Sequence, residues 1–359
     1  MTTVTSARVT RRRVAVLGAT GAVGQAFVRL LAAHPWFELA ELAASERSAG
    51  RPYGEATRWI GGDAIPAGVA ERVVVSCDPA AVDADVVFSA LDSSVAGDVE
   101  SAFARAGKVV LSNARNFRMD DDVPLVIPEV NPGHLALLER QRRARGWPGA
   151  IVTNANCSTI ALALALAPLH ERFGVERVFV ATMQAVSGAG YPGVPSLDIL
   201  GNVVPYISGE EEKIETEALK MLGHYDGTSV IPAEIGVTAH TSRVPVEHGH
   251  TVCVSVGFRE PATPEQVRAA FEEWGGAEVA HGLPTAPVRP IELARAPDRP
   301  QPRRDADRGG GMAVTVGRIR PDPLLDVKFV ALAHNIVRGA AGASVLNAEL
   351  MEREGLLGG

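Results

Sequence analysis

Val14-Ala15-Val16-Leu17-Gly18-Ala19-Thr20-Gly21-Ala22-Val23-Gly24 decides the fold of this 359-residue chain. Val14 to Leu17 is a short apolar run of strand type, and Ala22 to Ala33 reads as a helix. Between them, glycines let the backbone turn tightly and approach a pyrophosphate, which would rest on the helix N-terminus. The spacing is GxxGxxG rather than GxGxxG, so its place between strand and helix carries the reading more than the pattern does. The competing explanation is a glycine turn that merely packs helix on strand.

Outward from this turn the alternation continues. Phe37 to Ala43, Asp85 to Ala90 and Val109 to Ser112 are further short apolar strands separated by helical stretches. That texture predicts an α/β class with a parallel sheet covered on both faces, a Rossmann-type dinucleotide-binding unit. After Cys157 the texture changes. Val178 to Gln184, Thr241 to Val246, Thr251 to Phe258 and Met312 to Arg320 are longer and more alternating, which predicts an antiparallel sheet open on one face. Ala286 to Arg308, rich in Pro and Arg, is expected as a surface excursion, and Ala340 to Glu352 as a closing helix.

Hydrophobic residues make up 46% and charged residues 21%, a soluble globular balance. A net charge of -7 disfavours nucleic acid or an anionic membrane as partner. Arg11-Arg12-Arg13 is the one basic run, expected to keep a frayed N-terminal tail solvated. The first ten residues are polar with no apolar secretion core after them, and no apolar run reaches bilayer length. The three cysteines, Cys77, Cys157 and Cys253, lie far apart without CxxC or Cys/His spacing. No disulfide framework and no metal site is expected, and the compartment is expected to be a reducing cytoplasm.

Ile151-Val152-Thr153-Asn154-Ala155-Asn156-Cys157-Ser158-Thr159 places one cysteine where a long Ala/Leu helix, Ile160 to Leu169, begins. A helix N-terminus presents unpaired N–H groups and partial positive charge, which favour thiolate over thiol. A lone cysteine is commonly a small buried hydrophobe. Asn, Ser and Thr flanks argue against that here and for a nucleophile.

The end of the second strand carries Ser45-Glu46-Arg47-Ser48, where an NAD enzyme usually offers an acid to the ribose. Two hydroxyls and a guanidinium suit a 2′-phosphate, so NADP(H) is expected, although Glu46 could take the ribose diol instead.

With these motifs in place, the chain resembles aspartate-semialdehyde dehydrogenases of the archaeal and fungal branch. The resemblance rests on Gly18 to Gly24, Ser112 to Asp120, Val123 to Asn131, the cysteine turn, Gln184 to Gly190, Gly209 to Lys213, Arg243 to His250 and His334-Asn335. It implies a glyceraldehyde-3-phosphate-dehydrogenase-like architecture: a dinucleotide-binding domain of residues 1–156 with 330–359, and an α+β catalytic and dimerisation domain of 157–329. It also implies a homodimer or homotetramer acting on a small-molecule substrate. The reaction implied is NADPH-dependent reductive dephosphorylation of β-aspartyl phosphate to aspartate 4-semialdehyde through a cysteine thioester.

The resemblance assigns roles residue by residue. Cys157 matches the nucleophile, His250 the acid/base and Gln184 an orienting amide; from sequence alone His248 is an equal candidate to His250. Arg243 matches the clamp on the substrate carboxylate, Arg118 and Lys213 the phosphate pair, Glu210 the acceptor of the substrate ammonium, and Asn116 a further substrate contact. Gly18, Thr20, Gly21, Ala22, Val23, Ser45, Arg47, Ser48, Ser89, Ala90, Ser187, Gly188 and Asn335 match cofactor contacts. Without the family, Glu210 to Glu212 would be a solvated helix start. Two departures stand out: Thr241-Ser242 before Arg243, where Cys-Asn is more usual, and Asp92, where a proline is usual. The rivals are an acyl-CoA reductase, such as a malonyl-CoA reductase, on the same scaffold and a non-catalytic NADP-binding sensor. Retention of Glu210, Arg118 and Lys213 favours the aspartyl substrate.

Overall fold

The computed structural model describes residues 11–62 and 64–358. Strand β1 (Arg12–Leu17) is fully buried from Val14 onward. It lies inside a six-stranded sheet with β2 (Phe37–Ala44), β3 (Val75–Ser76), β4 (Val86–Ser89), β5 (Val109–Ser112) and β6 (Ala150–Thr153). The order is β3-β2-β1-β4-β5-β6, and every pair is parallel. Strand order therefore reverses between β1 and β4, which opens a crevice beyond their carboxyl ends.

Helix α1 (Ala22–Leu31) buries Gly24, Phe27, Val28 and Leu31, the spacing of one helical face. Gly24 is where that face meets the turn. A Cβ there would stand 2.1 Å from the carbonyl oxygen of Gly18, so only glycine lets the helix lie this close. Arg12 and Arg13 are not a solvated tail, contrary to expectation. They begin β1, and pair at 2.7 Å with Glu352 and Glu41 respectively. Residues 1–10 of that tail lie outside the described residues.

The second sheet also has six strands, in the order Gly236–Arg243, β7 (Val175–Gln184), His250–Phe258, Val327–Ala333, Val314–Pro321 and Ile291–Ala294. It is mixed, not antiparallel as the sequence texture suggests. The inner pairs are antiparallel, but each edge strand runs parallel to its neighbour. The cause is connectivity. Parallel neighbours need a crossover, and the helix Glu210–Leu222 supplies one between β7 and Gly236–Arg243. The strand expected at Thr241 to Val246 starts earlier and stops at Arg243, ahead of Pro245, which has no N–H for a ladder. The Pro/Arg-rich stretch is a surface excursion only in part. Ile291 and Ala294 are buried in a strand, and Asp305 is buried against Arg299 and the Gln301 N–H.

Two helices anchor the sheets. The helix Cys157–Phe173 is apolar on all sides from Ile160 to Leu169, as its Ala/Leu sequence requires, and Ile160 to Leu166 are wholly buried among Val180, Val252 and Val254 of the second sheet. Gly342–Arg353 sends Val345, Leu346 and Met351 into one core with Val14 and Phe37 of the first sheet and Phe27 of α1. A π-type turn, Val337–Ala341, precedes it and carries Arg338. Both Nη atoms of Arg338 meet the Glu129 carboxylate at 2.7 Å in full burial. Removing one partner of such a pair costs about 3–5 kcal/mol. Among the described residues, no helix is long and apolar enough to cross a membrane.

Gly24→Ala should lower the thermal unfolding midpoint by several degrees, the mark of roughly 1–3 kcal/mol of overpacking. A midpoint equal to that of the parent protein would show that the Gly18 carbonyl moves aside freely.

Candidate active site

The carboxyl end of the first sheet and one end of the second face a shared cleft of roughly 560 Å³. Cys157 lies at its floor, partly exposed, as the first residue of its helix. Asn156 caps that helix: its Oδ1 accepts from the N–H groups of Ser158 at 2.9 Å and Thr159 at 3.2 Å. Gly339, on the π-type turn, packs behind the cysteine so closely that a Cβ there would be 2.5 Å from the Cβ of Cys157.

The sulfur lies 3.1 Å from Nε2 of His250, the first residue of the strand His250–Phe258. The other ring nitrogen, Nδ1, accepts the N–H of Ala185 at 3.0 Å. A neutral ring with Nδ1 so engaged carries its proton on Nε2, which we therefore assign as a donor toward sulfur. His248 sits elsewhere. It is exposed, bonds Ser187 Oγ at 3.0 Å and stacks on His334. The two histidines that sequence leaves level are separated by this geometry.

Burial decides the protonation states. It pushes the Cys157 thiol up to about 12, with Glu210 adding to the rise and Arg118, Arg243 and the Ser158 N–H opposing it. It drives His250 down to about 3, helped by Arg243 and His334. The resting pair is thus thiol and neutral imidazole. The expectation that the helix terminus would by itself favour thiolate is corrected: the terminus pulls in that direction, and desolvation outweighs it.

Charged groups ring the sulfur. Arg243, at the end of its strand, donates to the Ala185 carbonyl at 2.9 Å. Gly188 covers it, since a Cβ there would lie 2.8 Å from the guanidinium and 3.0 Å from the His250 ring. Gln184, at the end of β7, is buried, bonds Thr182 Oγ1 at 3.2 Å and lines the cleft. The helix Glu210–Leu222 supplies Glu210, whose carboxylate holds Lys213 at 3.0 Å and the Asn156 amide at 2.7 Å. Glu210 is therefore buried, not solvated as an isolated helix start would be. Arg118 reaches Glu217 at 2.9 Å and the Asn113 carbonyl at 2.7 Å. Asn116 does not join them. It is exposed and bonds the Ser93 carbonyl at 2.9 Å, so its expected substrate contact gains no support.

At the other end of the cleft, Gly21 stands at the N-cap of α1 and offers no side-chain cap. Gly21, Ala22 and Val23 line the cleft, so the first-turn N–H groups are available to an anion. Those orphan donors fit a dinucleotide diphosphate. Gly18 shapes the turn at φ 73°, and the Thr20 carbonyl is taken by Gln25 and Thr57. Ser45, Arg47 and Ser48 stand on the turn after β2. Ser89 is fully buried at the end of β4, and Ala90 reaches the cleft. Ser187 and Gly188 line it too, and Asn335 donates to Ser187 Oγ at 2.9 Å. Asp92, one of the departures, caps the helix Ser93–Arg105 by accepting from Ser94 N–H at 2.9 Å. Thr241 is buried and bonds Glu211. Among the described residues, no group of three or more His, Cys, Asp or Glu could hold a metal ion.

Sequence reasoning passed over four residues of this site: Asn156 as cap and tether, Glu217 beneath Arg118, Gly339 behind the sulfur, and Arg115 on the cleft wall. Only Glu217 left a signal, lying seven residues after Glu210 and hence on the same helical face.

Known proteins carry the same arrangement of sequence. Residues 13–138 match the family described as semialdehyde dehydrogenase, NAD binding domain, and residues 166–338 the semialdehyde dehydrogenase, dimerisation domain. An aspartate-semialdehyde dehydrogenase of Archaeoglobus fulgidus is 54% identical, over 97% of this chain and 100% of its own. That of Saccharomyces cerevisiae is 45% identical, over 95% and 98%. The crystal structure of aspartate semialdehyde dehydrogenase with NADP from Candida albicans superposes with a TM-score of 0.88 at 45% identity, covering 97% of this chain and 100% of that one. The chain belongs to the aspartate-semialdehyde dehydrogenase family.

Proposed function

We propose that this cleft carries out the reductive dephosphorylation of β-aspartyl phosphate to aspartate 4-semialdehyde, and its reverse, with Cys157 holding the acyl group as a thioester. The observation that carries the reading is the 3.1 Å contact between Cys157 Sγ and His250 Nε2, ringed by Arg118, Arg243 and the Glu210–Lys213 pair. NADPH is the hydride donor when bound, and NADP the acceptor in reverse. The bare N-terminus of α1 suits its diphosphate, and Arg47 with Ser45 and Ser48 suits a 2′-phosphate.

The steps follow from the groups around the sulfur. Sulfur attacks the acyl carbon, the C–O bond to phosphate breaks, and the thiol proton leaves with the phosphate. Arg118 and Lys213 offset the charge that gathers on that leaving group, while Arg243 holds the α-carboxylate through a planar fork. Glu210, already an acceptor for Lys213, takes the substrate ammonium. Once hydride reaches the thioester carbon, the tetrahedral adduct on Cys157 collapses to aldehyde and thiolate. His250 Nε2–H donates to the departing sulfur and stabilises its charge, and a proton taken up from water returns Cys157 to the resting thiol.

The strand β7 leaves Phe179 and Met183 exposed on the outer face of the second sheet. A second copy of the chain is the occupant we assign to that apolar face, making a homodimer at least. Three free thiols suit the cytoplasm.

Cys157→Ala should abolish phosphate-dependent oxidation of aspartate semialdehyde by NADP, a fall of at least about 10⁴ in kcat. Retained turnover, or turnover of malonate semialdehyde with coenzyme A in place of phosphate, would overturn the reading. The raised thiol makes a second prediction. Below a pKa near 12, the thiolate fraction climbs about tenfold per pH unit. Alkylation of Cys157 in the unliganded protein by iodoacetamide should thus keep accelerating from pH 6 to pH 9. A plateau below pH 8 would mean that the resting sulfur is already ionised.

A further inference from the structure

Glu217 lies in the interior of the molecule, 2% exposed, one layer behind the residues that line the cleft. Its two oxygens serve two different loops. Oε1 accepts Arg118 Nη1 at 2.9 Å, on the loop after β5. Oε2 accepts the backbone N–H of Asn156 at 2.6 Å, on the turn that delivers Cys157. The Arg118 side chain is otherwise held by a single bond to the Asn113 carbonyl, and its Nε is buried without a partner. Asn156 is held from the same helix a second time, through Glu210.

We propose that Glu217 is a positioning residue that fixes Arg118 relative to Cys157, so that the phosphate-side cation and the sulfur keep one spacing. The inference deepens the reading above and rests on it. Helix geometry makes the arrangement natural: Glu210, Lys213, Glu217 and Lys220 fall on one face of Glu210–Leu222. Lys220 donates to the carbonyls of Arg118, Asp120 and Val123 at 2.8, 2.8 and 2.9 Å. That face therefore grips the Arg118 loop twice and the cysteine turn twice. A carboxylate is required at 217 because both partners are donors. A glutamine would accept from one of them and turn its own NH2 toward the other.

The test is a double-mutant cycle in the phosphate-dependent oxidation of aspartate semialdehyde by NADP. Glu217→Gln should raise KM for inorganic phosphate about tenfold, while the NADP dissociation constant stays within about twofold. In an Arg118→Lys background the same change should raise KM for phosphate by less than about twofold, because the group it positions is gone. A merely structural role would make the two penalties multiply in full. Full multiplication, or an unchanged KM in the single variant, overturns the proposal. Should Glu217→Gln fail to accumulate as folded protein, the cycle runs with Glu217→Asp, which keeps the charge and shortens the reach, and is judged by the same outcomes. Cys157→Ala separates the two levels. Activity surviving in that variant sinks the thioester reading, whereas a fully multiplicative cycle in a cysteine-dependent enzyme sinks only the assignment of Glu217.

Discussion

Sγ of Cys157 and Nε2 of His250 can stand 3.1 Å apart only if two separately built sheets end at the same point. The cysteine follows β6 of the parallel sheet, and the histidine opens the third strand of the mixed one. Neither side chain can travel far. The cysteine is fixed by the Asn156 cap in front and Gly339 behind, and the imidazole is pinned by the Ala185 N–H. The rest of the site follows from that meeting. Gly188 must be small because it closes over Arg243 and His250 together, and Gly339, next to the buried Arg338–Glu129 pair, must be small because it packs on the Cβ of Cys157.

The electrostatics of the cleft are a contest of burial against paired charge. Each cation near the sulfur already has an acidic or carbonyl partner: Arg118 has Glu217, Lys213 has Glu210, and Arg243 has the Ala185 carbonyl. Much of their pull on the thiol is spent on those partners, and desolvation holds the proton on sulfur. An arriving acyl phosphate changes the terms, since it brings an acceptor for that proton along with it.

The parallel sheet was legible in the sequence because its signals are local: apolar runs of strand length, and a glycine turn feeding a helix. The cysteine turn was legible for the same reason. The mixed character of the second sheet was not, because direction depends on what crosses between strands, and alternation looks the same in either sense. The polar groups behind the site were also hidden. Glu217 serves Arg118 from 99 residues away, and Arg338 serves Glu129 from 209. The thiol state is hidden for a related reason: local sequence gives the sign of the helix-terminus effect but not the depth of burial that opposes it.

The helix Gly342–Arg353 shares a core with β1, and Glu352 ties down Arg12. More than three hundred residues separate these neighbours along the chain. As the polypeptide emerges from the ribosome, the parallel sheet is made early, yet one of its apolar flanks has no cover until the helix Gly342–Arg353 has followed it out. Throughout that interval Val14, Phe27 and Phe37 lack their final neighbours. The growing chain must shield them by transient collapse or by a chaperone, and the order of translation itself becomes a demand on how this molecule reaches its native state.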